Sequence, residues 1–297
     1  MRMVKPVITA TIVAVLGLVL GSMPAAAEES DQSFRCSGGT LAAPNFVNIN
    51  PGTYESITIT QFCAVFLPAV GTVRDEGDLT MNGGGLLNAG TLQGNPPSPD
   101  AGLIVEGNTS LTNTVFFDIG CGAGNGCTPS RPNEYRLEGN VESRGSIDVH
   151  MHGVTIEGNL SVRGGGGRAY CYPDFHFSTI EDSQVEGNIT FADIKSCWLG
   201  IARVHVGGNV RVSNNVMADP DAIEILTNVI EGNLSCSGNM LFDFTTTPSV
   251  PAVLHRPWNS FESPTPTDPD ARTPAPNTVR GHRGGQCVTA NPGTGPF

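Results

Sequence analysis

From residue 103 to 240 the chain repeats one arrangement of apolar and polar positions. An aliphatic residue is followed by Glu or Gly, then Gly-Asn, then aliphatic residues that alternate with polar ones. The phrase occurs at Val105-Glu106-Gly107-Asn108, Leu137-Glu138-Gly139-Asn140, Ile156-Glu157-Gly158-Asn159, Val185-Glu186-Gly187-Asn188, Val206-Gly207-Gly208-Asn209 and Ile230-Glu231-Gly232-Asn233. Its Asn residues are spaced by 32, 19, 29, 21 and 24 positions, the range of one solenoid coil with occasional insertions. Positions −3, +1 and +3 from the Asn residues are mostly apolar, as in Ile156, Leu160 and Val162. The +1 and +3 positions share one face of a strand. The polar Glu-Gly-Asn breaks that alternation and therefore predicts a corner between two strands. Gly and Asn are expected there for positive φ, and the column Asn108, Asn140, Asn159, Asn188, Asn209 and Asn233 is expected to hydrogen-bond from coil to coil. The predicted fold is all-β: a single-domain right-handed parallel β-helix, with an irregular N-terminal cap and a Pro-rich C-terminal tail.

The flanking regions differ. Residues 1–27 read as a signal peptide: Arg2 and Lys5 precede the apolar run Val7 to Leu20, and Ala25-Ala26-Ala27 supplies a cleavage site. Residues 28–244 are assigned to the β-helix with its N-terminal cap. Within them Phe46 to Tyr54 and Ser56 to Thr60 read as two strands around Pro51-Gly52. Residues 245–276 hold eight Pro and little apolar content, so 245–297 is predicted to be a tail packing back on the C-terminal end. No sustained helical spacing of apolar residues occurs after residue 27, and no membrane span is expected once the signal is removed.

Charge and cysteine content narrow the setting. After residue 27, 14 basic side chains face 28 acidic ones, which argues against nucleic acid as a partner. Eight Cys, all beyond the leader and none in a Cys-x-x-Cys pair, fit disulfides in a secreted, extracellular protein. The flexible Gly122-Ala123-Gly124-Asn125-Gly126 stretch would let Cys121 and Cys127 close a small loop, and position along a solenoid suggests Cys36–Cys63, Cys171–Cys197 and Cys236–Cys287.

The repeat, the run Ile230-Glu231-Gly232-Asn233-Leu234-Ser235-Cys236-Ser237-Gly238-Asn239 and the closing segment Asn277 to Cys287 resemble a group of exported actinobacterial proteins, mostly uncharacterised, with (V/I)xGN(V/L)xV repeats. That group in turn resembles right-handed parallel β-helices. The resemblance implies fold and export and carries no catalytic residues. The last unit departs from its pattern, with His282 where Asn would stand.

Candidate chemistry is sparse. Glu106, Glu138, Glu157, Glu186 and Glu231 form an acidic row that reads as a solvated ridge, or as a Ca²⁺ stripe. His150 and His152 share a strand face with Asp148, which could hold a transition metal; an exposed surface pair is the plainer reading. The insertion Arg163 to Ser178 opens with four Gly and carries Tyr170, Tyr172, Asp174 and His176. With Trp198 these form a candidate glycan-binding loop. Asp148, Asp174, Asp182, Asp193, Arg203 and Arg211 are scattered charged candidates, and no catalytic residue, metal or cofactor is assigned.

Two function classes follow. The first is an exported non-catalytic β-helix, structural or binding a surface or polymer, with cell-envelope or extracellular polysaccharide or another copy as partner. The second is a polysaccharide lyase or glycoside hydrolase, which requires Asp, Glu, Arg or His side chains from neighbouring coils to converge in one groove.

Overall fold

The computed structural model describes residues 32–40, 43–88, 100–121, 135–168, 176–218, 223–242, 251–253 and 277–288. These contain strands and turns, with no helix among the described residues. The chain winds as a parallel β-helix whose coils stack three long sheets. One coil shows the plan. Tyr135–Leu137 lies in sheet II, Glu138-Gly139-Asn140 turns the corner, Val141–Arg144 lies in sheet I, and Asp148–His152 lies in sheet III before Thr155–Ile156 re-enters sheet II. Sheet I has ten strands, from Phe34–Cys36 to Arg283–Gly285, and sheets II and III have nine each. A four-stranded sheet IV, from Lys195–Ser196 to Pro251–Val253, adds a fourth side to the later coils.

The apolar offsets point where the sequence pattern sends them. Ile156, Leu160, Val162, Val185, Ile189 and Phe191 are all buried in one continuous core between the sheets, joined by Val149 and Met151. Parallel pairing keeps each residue over its equivalent, so Val141, Leu160, Ile189, Val210 and Leu234 form one stack.

The corner works by a different device from the one expected. None of its Gly or Asn residues has positive φ. Gly is required there because the backbones of successive coils touch. Gly139 N–H donates to Gly107 O (3.2 Å), Gly187 N–H to Gly158 O (3.1 Å) and Gly232 N–H to Gly208 O (3.0 Å). A Cβ on Gly158, Gly187 or Gly232 would stand 2.6 Å from the carbonyl oxygen one coil below, well inside van der Waals contact. Positive φ is found instead at the turn after sheet I, at Asn113, Asp193 and Asn214, and at the turn after sheet III, at Asp182, Arg203 and Thr227.

The Asn column forms the expected ladder. Asn159 Oδ1 accepts from Asn188 N–H (2.9 Å) and Asn188 Nδ2 (2.8 Å), and Asn188 Oδ1 does the same for Asn209 (2.8 and 2.9 Å). Two further members end it, one hidden in the sequence and one, His282, standing where the pattern has Asn. Asp78, in Glu76-Gly77-Asp78-Leu79, accepts from Asn108 N–H and starts the ladder, and His282 N–H donates to Asn233 Oδ1 and ends it. Two buried ladders line other corners of the late coils. One runs Asn215, Asn239, Gln286, and the other pairs Asn228 with Asn277. They satisfy backbone groups that no strand partner reaches, such as Ile194 N–H and Val204 N–H.

Both ends of the core are closed. Cys36 and Cys63 join the first strand of sheet I to sheet III, and Cys236 bonds to Cys287 just beyond the tenth strand. Cys121 and Cys197 are also disulfide-bonded, while Cys127 and Cys171 lie outside the described residues. Each end also carries an antiparallel pair: Gly39–Thr40 with Ala43–Asn48, and Met240–Phe242 with Pro251–Val253. These reverse the strand direction at the open edges. The last rung of sheets I and II is built by 277–288, so the region assigned to the tail contributes a coil and does not merely cover one.

The two corner residues should therefore differ in cost. Asn188→Ala removes ladder bonds and should lower stability by about 1–2 kcal/mol. Gly187→Ala forces two coils apart and should cost more, about 3 kcal/mol. Urea unfolding of the two variants measures both, and a Gly187→Ala as stable as wild type would overturn the close-contact account.

Candidate functional site

The outward positions of sheet III gather the chemistry. Strand register sets Phe46, Ala64, Gly85 and Phe116 in one column, and Phe116 in turn beside Asp148. Val149 pairs with Ser178, which puts Asp148 beside Phe177, and Phe177 pairs with Trp198. The next column holds Phe66, Leu87, Asp118, His150, Thr179 and Gly200, and the third holds Gly120, His152, Glu181 and Ala202. Strand alternation decides this: with Val149, Met151 and Ile180 in the core, His150, His152, Thr179 and Glu181 must face out.

Aromatic rings run the length of this face. Phe46 and Phe66 stack with centroids 6.0 Å apart, and Phe177 meets Trp198 edge-on at 5.9 Å and His150 at 5.8 Å. Trp198 lies across the sheet over Gly200, where a Cβ would come 2.5 Å from the indole. Phe46 and Phe116 are exposed, and Phe66, Phe177 and Trp198 are half-buried. Ala64, Gly85 and Gly200 leave room between the rings.

Charged groups sit beside this track, mostly compensated. Asp148 is buried; its carboxylate accepts from Phe177 N–H (2.8 Å) and lies 3.1 Å from His176 Nδ1. His176 O in turn accepts from Ser196 Oγ, so His176 anchors the end of the 163–178 insertion. Arg203 reaches back one coil to hold both oxygens of Asp182 (2.8 and 3.1 Å) and Glu181 Oε2 (2.7 Å). Burial works to depress the Arg203 pKa, but Asp182 and Glu181 outweigh it, and the guanidinium titrates above its usual range. His152 Nδ1 stands 4.0 Å from Glu181 Oε2. Burial lowers the His152 pKa; Glu181, Asp118 and Asp182 pull it up and His150 pushes it down, with burial prevailing.

Of the residues singled out from the sequence, His176 and Trp198 come to this face. Tyr170, Tyr172 and Asp174 lie outside the described residues. Asp148, Asp182 and Arg203 also join it. Asp193 instead accepts from Asn214 at the turn after sheet I, and Arg211 is exposed on sheet I. The two histidines are half-buried, not the exposed surface pair of the plainer reading. Sequence reading missed Phe66, Phe116, Asp118, Thr179 and Glu181. Their signal is alternation, as in Phe177-Ser178-Thr179-Ile180-Glu181, but only register across the insertions brings them together.

The acidic row runs along the corner, where four of its five carboxylates have basic neighbours and Glu186 accepts from the Gln184 side-chain amide. Arg74 pairs with Glu106, Arg136 with Glu138 and Glu157 (3.5 Å), and Glu231 with His205 (3.3 Å) and Arg280 (2.7 Å). Glu106, Glu138, Glu157 and Glu231 thus form an ion-paired ridge. Such pairs are each worth about 1 kcal/mol or less.

No family model, no curated protein and no solved structure matches the chain.

The lowered His152 pKa gives stability a sign with pH. Below about pH 6.5 the unfolded chain takes up a proton that the folded His152 resists, so stability falls as pH drops through that value toward the lower folded pKa. Melting temperature measured from about pH 8 to pH 5 should fall less steeply in His152→Gln than in wild type, and equal slopes would place the acid sensitivity elsewhere.

Proposed function

We propose that this is an exported, non-catalytic polysaccharide-binding protein whose polymer lies along the outer face of sheet III, parallel to the solenoid axis. The observation that carries the reading is the aromatic track Phe46, Phe66, Phe116, Phe177 and Trp198, interleaved with Ala64, Gly85 and Gly200 and bordered by polar groups. Flat apolar rings with a few polar partners suit the mixed surface of a sugar, whose C–H faces are apolar and whose edges carry hydroxyls. From Phe46 to Trp198 the track crosses seven strands, about 29 Å at the usual strand spacing, which accommodates a chain of several sugar units. Disulfides at both ends of the core agree with service outside the cell.

Charge selects the kind of glycan. Asp118, Asp148, Glu181 and Asp182 border the track with Arg203 as their cationic neighbour, so the face suits neutral or amino-bearing polymers and repels acidic ones.

A second reading, glycan cleavage, is favoured by one observation: Asp118, His150, His152, Glu181, Asp182 and Arg203 come from four successive coils onto one face, as such enzymes require. Against it, cleavage by a carboxylate pair needs one group free to give a proton and another free to attack or activate water. Asp148 is committed to Phe177 N–H and His176, and Glu181 and Asp182 to Arg203. Binding is therefore the better account.

Pull-down on insoluble cellulose and chitin, with polygalacturonate as the acidic control, tests the proposal. Wild type should bind a neutral glycan, and Phe116→Ala with Trp198→Ala should weaken it about tenfold, or about 1.4 kcal/mol, with the melting temperature little changed. Undiminished binding by that double variant, or binding only to the acidic polymer, overturns the reading. Release of reducing ends from a bound glycan would select the cleavage reading instead.

A further inference from the structure

Three buried polar atoms on two adjacent strands of sheet III have no hydrogen-bond partner: His150 Nε2, His152 Nδ1 and Thr179 Oγ1. Buried polar groups are nearly always paired, and each that is not costs about 1–3 kcal/mol. Three on one patch are evidence that something polar belongs there. Next to them, ligand atoms of His152, Glu181 and Asp182 all lie within 4.8 Å of one another. His152 and Glu181 are opposed in register on neighbouring strands, and Asp182 follows Glu181 at a turn with positive φ that swings its side chain toward the same point.

We propose that His152 Nδ1, Glu181 and Asp182 form a site for a single divalent transition-metal ion, with His150 and Thr179 hydrogen-bonding to water molecules that complete its shell. One imidazole and two carboxylates are a mixed nitrogen and oxygen donor set that suits Zn²⁺ and its first-row neighbours. His152 Nδ1 and Glu181 Oε2 stand 4.0 Å apart, too far to hydrogen-bond. Two ligand atoms each about 2.1 Å from a shared ion lie about 3–3.5 Å apart, so small side-chain rotations close the site.

Arg203 is the one group that argues the other way, since it shares both carboxylates. Two carboxylates and one guanidinium still sum to a negative charge, which attracts a cation. Hydrogen bonds to the carboxylates also orient them, the part that outer partners play around protein-bound metals. Asp148, the carboxylate that shares the histidines' own strand, is excluded because His176 and Phe177 N–H hold it. The site thus depends on the neighbouring coil; it shares Glu181 and Asp182 with the border of the glycan track, but none of the track's aromatic rings takes part in it.

Calorimetric titration of the chelator-treated full mature chain with Zn²⁺ alone tests it, with melting temperature read in parallel. One ion per chain should bind and raise the melting temperature. Glu181→Gln and His152→Gln should each weaken binding at least tenfold, and His150→Ala severalfold. Glu181→Gln keeps side-chain size, and the metal-free melting temperature of each variant separates lost binding from lost folding. Absence of Zn²⁺ binding by wild type, a water molecule in place of the ion in a Zn²⁺-soaked crystal, or binding undiminished in a folded Glu181→Gln or His152→Gln variant would each overturn the proposal.

Discussion

The whole molecule depends on how closely one coil can approach the next at a single corner. At Gly139, Gly158, Gly187, Gly208 and Gly232 a Cβ would fall within 3 Å of the carbonyl oxygen below. Removing that atom lets a direct N–H to O bond continue the sheet spacing around the bend, and the Asn beside it repeats the bond with its side chain. Register follows from this contact. Once the corners stack in phase, every aliphatic residue at a fixed offset lands on its equivalent, and the core fills without helices or long-range threading.

Closing such a stack is a separate physical problem, because an endless ladder has no reason to stop. The chain ends it chemically. Asp78, which brings a carboxyl group and no amide N–H₂ donor, accepts from Asn108 N–H and stands at the bottom. At the top, Arg280-Gly281-His282 keeps the glycine contact and the backbone donor while replacing the Asn amide. Disulfides and antiparallel strands then close the first and last coils, where a core with one side missing would be weakest.

Sheet III departs from the economy of the other faces. Sheet I presents hydroxyls and exposed charges, such as Thr80, Ser110 and Arg144, and sheet II presents ion pairs. Sheet III presents rings, the buried carboxylate of Asp148, and two imidazole nitrogens, His150 Nε2 and His152 Nδ1, without hydrogen-bond partners. Unpaired polar groups lower stability; His150 Nε2, His152 Nδ1 and Thr179 Oγ1 come together on this one face, while Thr109 Oγ1 and Thr114 Oγ1 lie on or beside sheet I. That contrast is the strongest sign that this face meets a ligand: the glycan track rests on its rings, and the metal site on His152 with Glu181 and Asp182, which also border the track.

Periodicity alone carried the architecture. The offsets around Asn159 or Asn188 specify inward and outward faces within one coil, and two cysteine pairings followed from their places at the ends of the stack. The reason for the corner glycines was not legible, because close approach is a relation between coils, and one coil's sequence holds only φ preferences. Asp78 was missed because a carboxylate stood where the phrase has an amide. The candidate site was legible only in fragments: His150, His152 and Asp148 share one strand, and Trp198 follows a cysteine. Which carboxylate faces the histidines was beyond any local pattern, since insertions of unequal length separate Asp118, His152 and Glu181 along the chain. Local spacing decided the coil, the core and the corner; only the parallel register between coils decided which side chains meet on sheet III, because that neighbourhood runs across the strands and not along them.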